Sequence, residues 1–295
     1  MTHLHGFEIL SAGPLTLVED LGRRGAAGLG LSPSGALDRE ALRLANSIVG
    51  NQPDAAGLEV LSGGLRFRAL APLTLAVTGA EGSLTVGGLA AKVNARVDVP
   101  AGEVVSLGTV TRGLRYCFAF AGGVAATQLW GSRSADTLSG EGPTPLRPGD
   151  LLEVGPPAAE VGPPAAQVGP HAVFRRPPRP DQTLAIRVTP GPRLGWFVPG
   201  TWQQLIRSTW RLSPESNRIG ARLLGRPLQR ERMDELPNEG MVRGAIQVPP
   251  SGLPTVFLAD HPVTGGYPVA AVVRSADLDL FAQARPGQPL RFLAG

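Results

Sequence analysis

The chain has 295 residues, 42% of them hydrophobic and 18% charged, with a formal net charge of +4. That is a globular composition with room for two domains of ordinary size, and it excludes long disordered tails. The 39 glycines and 29 prolines are roughly twice the usual share; they favour many short strands and turns over long helices and exclude a helical bundle.

In chain order, Phe7–Leu10 and Leu15–Glu19 read as strands flanking Ser11-Ala12-Gly13-Pro14, a hairpin signal. A helix is predicted from Arg39 to Val49, with Asp38 as its N-cap, Ala41, Leu44, Ala45 and Ile48 on one face, and Gly50 ending it. Short strands follow at Leu73–Thr78, Arg96–Val99, Val104–Leu107 and Arg115–Ala121. Residues 153–172, EVGPPAAEVGPPAAQVGPHA, nearly repeat a seven-residue unit with no face to bury, so a poorly packed linker is expected over 155–182. Strands recur at Leu184–Thr189, Thr255–Ala259 and Val269–Val273, with short helices at Thr201–Arg207 and Leu278–Ala284.

The two halves echo each other. Arg133-Ser134-Ala135-Asp136 and Arg147-Pro148-Gly149 in the first answer to Arg274-Ser275-Ala276-Asp277 and Arg285-Pro286-Gly287 in the second. Leu58-Glu59-Val60 similarly answers to Ile246-Gln247-Val248, and Leu37-Asp38-Arg39 to Ser216-Asn217-Arg218. Four matches in one order point to two copies of one fold. The expected organisation is therefore a first domain over 1–154, a linker over 155–182 and a second domain over 183–295.

The residue inventory excludes several chemistries. Of the 28 basic residues only Lys92 is a lysine, and Ala91-Lys92-Val93 is neither a P-loop nor a biotin-carrying tip. The arginines are scattered apart from Arg175, Arg176 and Arg179, which leaves no basic stripe for nucleic acid. Cys117 lies in the apolar run Tyr116–Ala121, as a core residue does. The four histidines, His3, His5, His171 and His261, have no metal-ligand spacing, so no metal is expected. No apolar stretch reaches 18 residues, so no membrane span is expected and a soluble cytoplasmic protein is the default.

Four segments carry polar chemistry. Glu19–Gly25 with Ser32–Arg39 brings Asp20, Arg23, Asp38 and Arg39 near one helix N-terminus, a favourable place for an anion; the alternative is that Asp38 only caps the helix while Arg39 pairs with Asp20. Gly244–Gly252 ends a strand in Pro249-Pro250-Ser251-Gly252 and offers the Gln247 amide, or is a plain structural turn. Ala259–Pro268 places Asp260, His261, Thr264, Gly265, Gly266 and Tyr267 on one tight loop. That set supplies an acid, a base near neutral pKa and flexible N–H groups suited to an oxygen ligand, or is an ordinary hairpin. Leu129–Asp136 looks partly architectural, since Arg-Ser-Ala-Asp recurs at 274–277.

The stretches VEDLGRRG, SPSGALDREALRLANSIVGN, GLEVLSGG, AFAGGV, GSRSADT, SNRIGARLLG, EGMVRGAIQVPPSGLP and ADHPVTGGYPVAAVVRSADL together resemble the biotin-dependent carboxyltransferase family that contains the C component of 5-oxoprolinase, also called KipA or allophanate hydrolase subunit 2. They span nearly the whole chain outside the linker. Departures fall at Glu19, where relatives often carry Gln, at Arg24, where Pro is common, and at Val263, where Thr is common.

The resemblance implies a mainly β fold, two cyclophilin-like β-barrel domains with a few short helices. It implies an enzyme subunit rather than a complete enzyme: the C component works with a KipI-like B component, and the A component supplies an ATP-dependent step, so that 5-oxo-L-proline opens to L-glutamate. The alternatives it leaves are the carboxyltransferase half of a urea carboxylase-type enzyme, with biotin on another protein, and a regulatory protein that binds a kinase inhibitor. The roles it implies are proton transfer by Asp260 and His261, oxygen binding by Thr264, Gly265 and Gly266, and ligand orientation by Tyr267. Arg23, Asp38, Arg39 and Gln247 would complete a pocket shared with the Asp260–Tyr267 loop.

Overall fold

A computed structural model describes residues 5–156 and 175–295. Most of the expected linker, 157–174, lies outside the described residues, as does His3. The fold is mainly β, with three short α-helices among the described residues: α1 (Arg39–Ile48), α2 (Thr201–Arg207) and α3 (Asp279–Gln283).

The first half is two sheets around one core. One sheet has seven strands, ordered Val124–Ala125, Leu151–Val154, Gly6–Ala12, Leu65–Ala69, Val104–Leu107, Leu84–Val86 and Leu89–Ala91. The other has five, ordered Leu15–Glu19, Gly57–Leu61, Arg112–Phe120, Leu73–Glu81 and Arg96–Val99. The period-2 pattern decides which face is inside: in Leu65–Ala69 the leucine, phenylalanine and alanine are buried while Arg66 and Arg68 face water. Phe7 and Phe67 from one sheet meet Phe118 and Phe120 from the other, with Phe7 and Phe120 stacked at 4.5 Å. Burial of an aromatic side chain of this kind stabilises by roughly 1.5–3 kcal/mol.

The expected hairpin at Ser11–Pro14 is not one. Gly6–Ala12 pairs with Leu65–Ala69, while Leu15–Glu19 pairs with Gly57–Leu61 in the other sheet. The chain crosses between sheets at Gly13, and crosses back beside it at Ser62–Gly64. Gly13 has φ +63°, and a Cβ there would lie 2.2 Å from the Gly63 carbonyl oxygen. The glycine therefore lets two corners touch, whereas the sequence pattern alone favours a tight turn between paired strands.

The second half closes into a seven-stranded barrel. Its order is Leu184–Pro190, Val269–Val273, Ala245–Gln247, Thr255–Phe257, Gly220–Leu224, Thr209–Leu212 and Pro289–Ala294, and the last strand returns to pair in parallel with the first. Closure gives each of these strands a neighbour on both sides. Ile186, Trp210, Ile246, Val256 and Phe292 fill the interior, and the Trp210 indole donates to the Leu205 carbonyl at 3.0 Å.

The two Arg-Ser-Ala-Asp segments hold corresponding places in chain order, ahead of the closing strand of each half, but differ locally. Ser275–Asp277 forms a 3-10 turn leading into α3. Ser134 instead lies in a loop that binds Asp20. The closing strands differ too: Leu151–Val154 pairs antiparallel with its first strand, Pro289–Ala294 parallel.

At the near end of the Pro-rich segment the expectation of poor packing meets a difference. Pro177 and Pro178 are buried, Arg112 donates to the Pro177 carbonyl, and Gln288 donates to the carbonyls of Arg179 and Gln182. Residues 175–182 thus touch both halves, because proline keeps the segment extended and its free carbonyls accept side-chain donors.

Helix α1 begins as expected, with the Asp38 carboxylate accepting from the Ala41 N–H at 2.9 Å. Its buried face is Ala41, Leu42, Ala45 and Asn46, rather than the face through Leu44 and Ile48. Asn46 is drawn inward because it donates to the Ala55 carbonyl and accepts from Asn51, tying down the following loop. The helix packs on Leu73–Glu81 and Arg112–Phe120 and points its N-terminus at the second half, where the Glu40 N–H meets the Asp279 carboxylate at 3.1 Å.

Candidate functional site

The polar residues singled out in the sequence sort into three neighbouring places. The first is a buried ionic cluster on the seam between the halves. Arg218 follows the barrel strand Thr209–Leu212, and Asp260 follows Thr255–Phe257. The Arg218 guanidinium meets Asp260 through two bonds of 2.9 and 3.0 Å, Glu59 at 2.7 Å and the Gly35 carbonyl at 2.8 Å. Glu19 lies 3.1 Å away but without hydrogen-bond alignment, and both its carboxyl oxygens are buried and unpartnered. Arg115 adds a second cation 3.3 Å from Glu59.

Three carboxyls thus face two guanidiniums in a site closed to water. Burial pushes the Glu19 carboxyl well above its ordinary pKa, against the pull of Arg218. Burial alone would lower Arg218, but Glu19, Glu59 and Asp260 outweigh it and hold the guanidinium charged. The cluster carries one carboxyl more than it has guanidiniums, and burial disfavours the ionised form at Glu19, the carboxyl that lacks aligned hydrogen bonds.

The second place is the Asp20–Arg23 loop. Asp20 accepts from Ser132, Ser134 and the Arg133 N–H, so Arg39 does not pair with it. Arg23, almost fully buried, donates to the Ser34 hydroxyl and the Ser134 carbonyl and lies 4.0 Å from Asp136. This loop reaches His261 through the Ser32 hydroxyl, which donates to the His261 carbonyl at 2.8 Å. It reaches Asp260 through Thr137, whose hydroxyl donates at 2.6 Å. The His261 ring stacks on Phe257 with 5.8 Å between centroids, and burial lowers its pKa from the ordinary value.

The third place is a cleft of about 840 Å³ at the N-terminus of α1. Asp38 and Arg39 line it from the first half, and Arg243, Leu278, Asp279 and Gln283 from the second. Gln283 donates to Asp38 at 2.7 Å, and its carbonyl accepts from the N–H groups of Leu114 and Arg115. Arg243 donates to the Leu37 carbonyl and lies 3.3 Å from Asp279. Burial pushes the Asp38 carboxyl up to about 7, and the nearby Asp279 carboxylate adds to the shift. Burial lowers Arg39 to about 10, reinforced by the Arg243 charge.

The expected common pocket therefore divides. Asp260 and His261 stand behind the seam, 0% and 3% exposed, and do not line the α1 cleft with Asp38. Arg218 draws Asp260 inward, because a buried guanidinium must be paired. Thr264 and Gly265 form a short strand with Glu239 and Gly240, and Tyr267 is exposed. Gln247 serves this loop by donating to the Tyr267 carbonyl at 3.1 Å, and a Cβ on Gly265 would lie 2.6 Å from its amide nitrogen. Gly266 also stands on this loop, facing the Asn238 side chain.

Sequence reasoning missed Arg218, Glu59, Arg243, Asp279 and Gln283 as site residues. The readable signal was Glu59: a carboxylate in the middle of Gly57-Leu58-Glu59-Val60-Leu61 breaks the apolar pattern and demands a buried partner. Among the described residues no group of three or more His, Cys, Asp and Glu side chains has the geometry to hold a metal ion, and no helix is long and apolar enough to cross a membrane.

The carboxyltransferase domain family, subdomains A and B, matches residues 29–294. The chain is 35% identical to the C component of 5-oxoprolinase from Escherichia coli K12, over 97% of this chain and 90% of that one. Among solved structures, TTHA0988 superposes with a TM-score of 0.86 at 32% identity, covering all of this chain and 56% of that one. Kluyveromyces lactis urea carboxylase superposes with a TM-score of 0.90 at 28% identity, and the chain spans 28% of its length. The match runs through the α1 cleft and the Arg218 seam alike, and the chain belongs to the carboxyltransferase domain family, subdomains A and B.

Proposed function

We propose that the chain is the C component of an ATP-dependent 5-oxoprolinase and works with the A and B components to convert 5-oxo-L-proline to L-glutamate. The observation that carries this reading is the 35% identity to a 5-oxoprolinase C component across nine-tenths of that protein's length. The residue inventory agrees with a role inside a larger enzyme. With Lys92 its only lysine, the chain carries no P-loop, in keeping with a reading that places activation of the lactam by ATP on a partner.

Opening the lactam adds water across the ring amide: a C–O bond forms, the C–N bond breaks and the ring nitrogen takes a proton. The amide nitrogen is a poor leaving group until that proton arrives, so a carboxyl that titrates near neutrality is useful. Asp38, pushed up to about 7 beside the cleft, fits this task. Asp260 and His261 then act by position: Asp260 fixes Arg218 and the Thr137 loop, and His261 packs on Phe257. Thr264, Gly265, Gly266 and Tyr267 supply an outer loop suited to contact with a partner protein or the far end of a ligand.

A urea carboxylase-type carboxyl transfer is the second reading, favoured by the TM-score of 0.90 with K. lactis urea carboxylase. Biotin would then arrive on another protein, since Lys92 stands between Ala91 and Val93 without a carrier context. The test is glutamate release from 5-oxoproline with ATP, using this chain alone, with the B component, and with the A and B components together. Turnover is expected only in the three-component mixture. Turnover by the chain alone sinks this reading, and none in the full mixture, with carboxyl transfer to urea in its place, favours the alternative.

A further inference from the structure

The α1 cleft holds an unusual excess of arginine, and most of it is already paired. Arg43 meets Glu40 at 2.5 Å, Arg176 meets Glu81 at 2.7 Å and Arg243 meets Asp279 at 3.3 Å. Arg175 is exposed at the rim, where solvent screens it. Arg39 is different. Among the described residues no carboxylate lies within 4.0 Å of its guanidinium, and its one hydrogen bond is a long contact of 3.4 Å to the Ser34 carbonyl.

Two further observations point to a ligand. The Nε atoms of Arg39 and Arg243 are both buried and without a hydrogen-bond partner. The Arg243 side chain is 10% exposed, so its unpartnered N–H is held in the wall of the cleft, where water does not compensate it. Two guanidiniums facing one cavity repel each other unless an anion sits between them, and arginine forks match a planar carboxylate bidentately.

We propose that Arg39, backed by Arg243, is the carboxylate-recognition residue of this cleft, and that its ligand is a small monoanionic carboxylate carrying an amide or lactam. The charge count selects a monoanion. Among the described residues lining the cleft, Arg39 is the half-buried cation left without a carboxylate within 4.0 Å, while the Asp279 carboxylate on the facing wall, already paired with Arg243, repels a second negative charge. A dianionic phosphate is therefore disfavoured. The amide end of such a ligand would lie toward Asp38, the N-cap residue next to Arg39 in the cleft lining. Naming the ligand as a lactam acid rests on the oxoprolinase reading; the carboxylate site itself does not.

The test is direct binding to the full chain, followed calorimetrically with 5-oxo-L-proline, 2-pyrrolidinone and inorganic phosphate. 2-Pyrrolidinone is the same lactam without its carboxylate, so the comparison needs no variant. The expected result is binding of 5-oxoproline at least tenfold tighter than of 2-pyrrolidinone, with phosphate weaker than 5-oxoproline. Arg39→Gln should lose at least tenfold in 5-oxoproline affinity, while Arg43→Gln, already paired with Glu40, should change it less than threefold. In the reconstituted complex Arg39→Gln should raise KM more than it lowers kcat. Equal binding of the two lactams, tighter binding of phosphate, no binding at all, or an unchanged Arg39→Gln affinity each overturns the site. If acetate and other simple carboxylates bind through Arg39 but the complex does not hydrolyse 5-oxoproline, the site stands and the oxoprolinase reading falls.

Discussion

Arg218 and Glu59 lie 159 residues apart in the chain and meet at 2.7 Å, one from each half. With Asp260 on the other side of the same guanidinium, this contact fastens the barrel to the five-stranded sheet through groups that are almost wholly buried. Such a cluster stabilises little over an apolar replacement of the whole, but it is intolerant of losing one member.

Arg218→Met should therefore destabilise the protein by about 3–5 kcal/mol, the usual cost of stranding buried partners of an ion pair. Urea unfolding checks this. Arg218→Lys should recover only part of the loss, since an ammonium cannot reproduce the paired bonds to Asp260. A loss under about 1 kcal/mol for Arg218→Met would falsify the view that this residue holds the seam.

Cys117 reports on the same seam. Its thiol is 1% exposed beneath α1, and burial pushes its pKa well up, with Asp38 adding to the effect. Both features suppress the thiolate, which is the reactive form. A thiol reagent should leave native Cys117 unmodified at pH 8 and label it fully in urea. The labelling rate at intermediate urea should track opening of the seam, and should rise in Arg218→Met. Rapid labelling of the native wild-type protein would show that α1 does not cover the thiol.

Much of this architecture was readable in advance, and the parts that were not share a cause. Leu15–Glu19, Arg96–Val99, Val104–Leu107, Val269–Val273 and Thr201–Arg207 fall where propensity and turn residues place them, because each is decided by neighbours in sequence. Asp38 as the cap of α1 is likewise a local matter. The crossing at Gly13 is not: whether two strands joined by a short turn pair or part depends on Gly63, fifty residues on. Asp260 shows the same limit. Its loop looks like an open acid–base site until Arg218 and Thr137, neither adjacent in sequence, claim both carboxylate oxygens. Conversely, Arg39 and Asp38 were legible as candidate ligand residues because a helix N-terminus gathers them, yet the residues that complete the cleft around them, Arg243, Asp279 and Gln283, come from the other half.

His261 should titrate below the ordinary histidine value of 6.5. Its ring is buried against Phe257, and burial disfavours the imidazolium more than the Pro262 carbonyl favours it. A group with a depressed folded pKa of this basic kind destabilises the fold as pH falls, because unfolding lets it bind a proton. The His261 imidazole signal in an NMR titration should have a midpoint below 6.5, and His261→Phe should reduce the loss of stability between pH 7 and pH 5. A midpoint at or above 6.5 contradicts the burial argument.

Asp38 carries the opposite sign and gives the sharpest test of the cleft. Its carboxyl is pushed from 3.8 up to about 7 by burial and by Asp279, so the folded protein holds a proton there that the unfolded chain releases. The stability this lends is fully present below about pH 4 and is lost as pH rises through 7. Asp38→Asn keeps the helix cap, since the amide oxygen can still accept from the Ala41 N–H. Its amide would face the Gln283 amide, a cost that does not vary with pH. The difference in unfolding free energy between Asp38→Asn and wild type should therefore move in the variant's favour by more than about 1 kcal/mol between pH 5 and pH 8, one pKa unit being worth about 1.4 kcal/mol. Glu19, also raised by burial, contributes equally to both proteins and cancels from the comparison. In the reconstituted complex the same variant should lose at least tenfold in kcat, since an amide neither gives nor takes the proton that the ring nitrogen needs. Parallel pH–stability profiles would show that Asp38 titrates in its ordinary range, and a wild-type kcat would remove it from proton transfer.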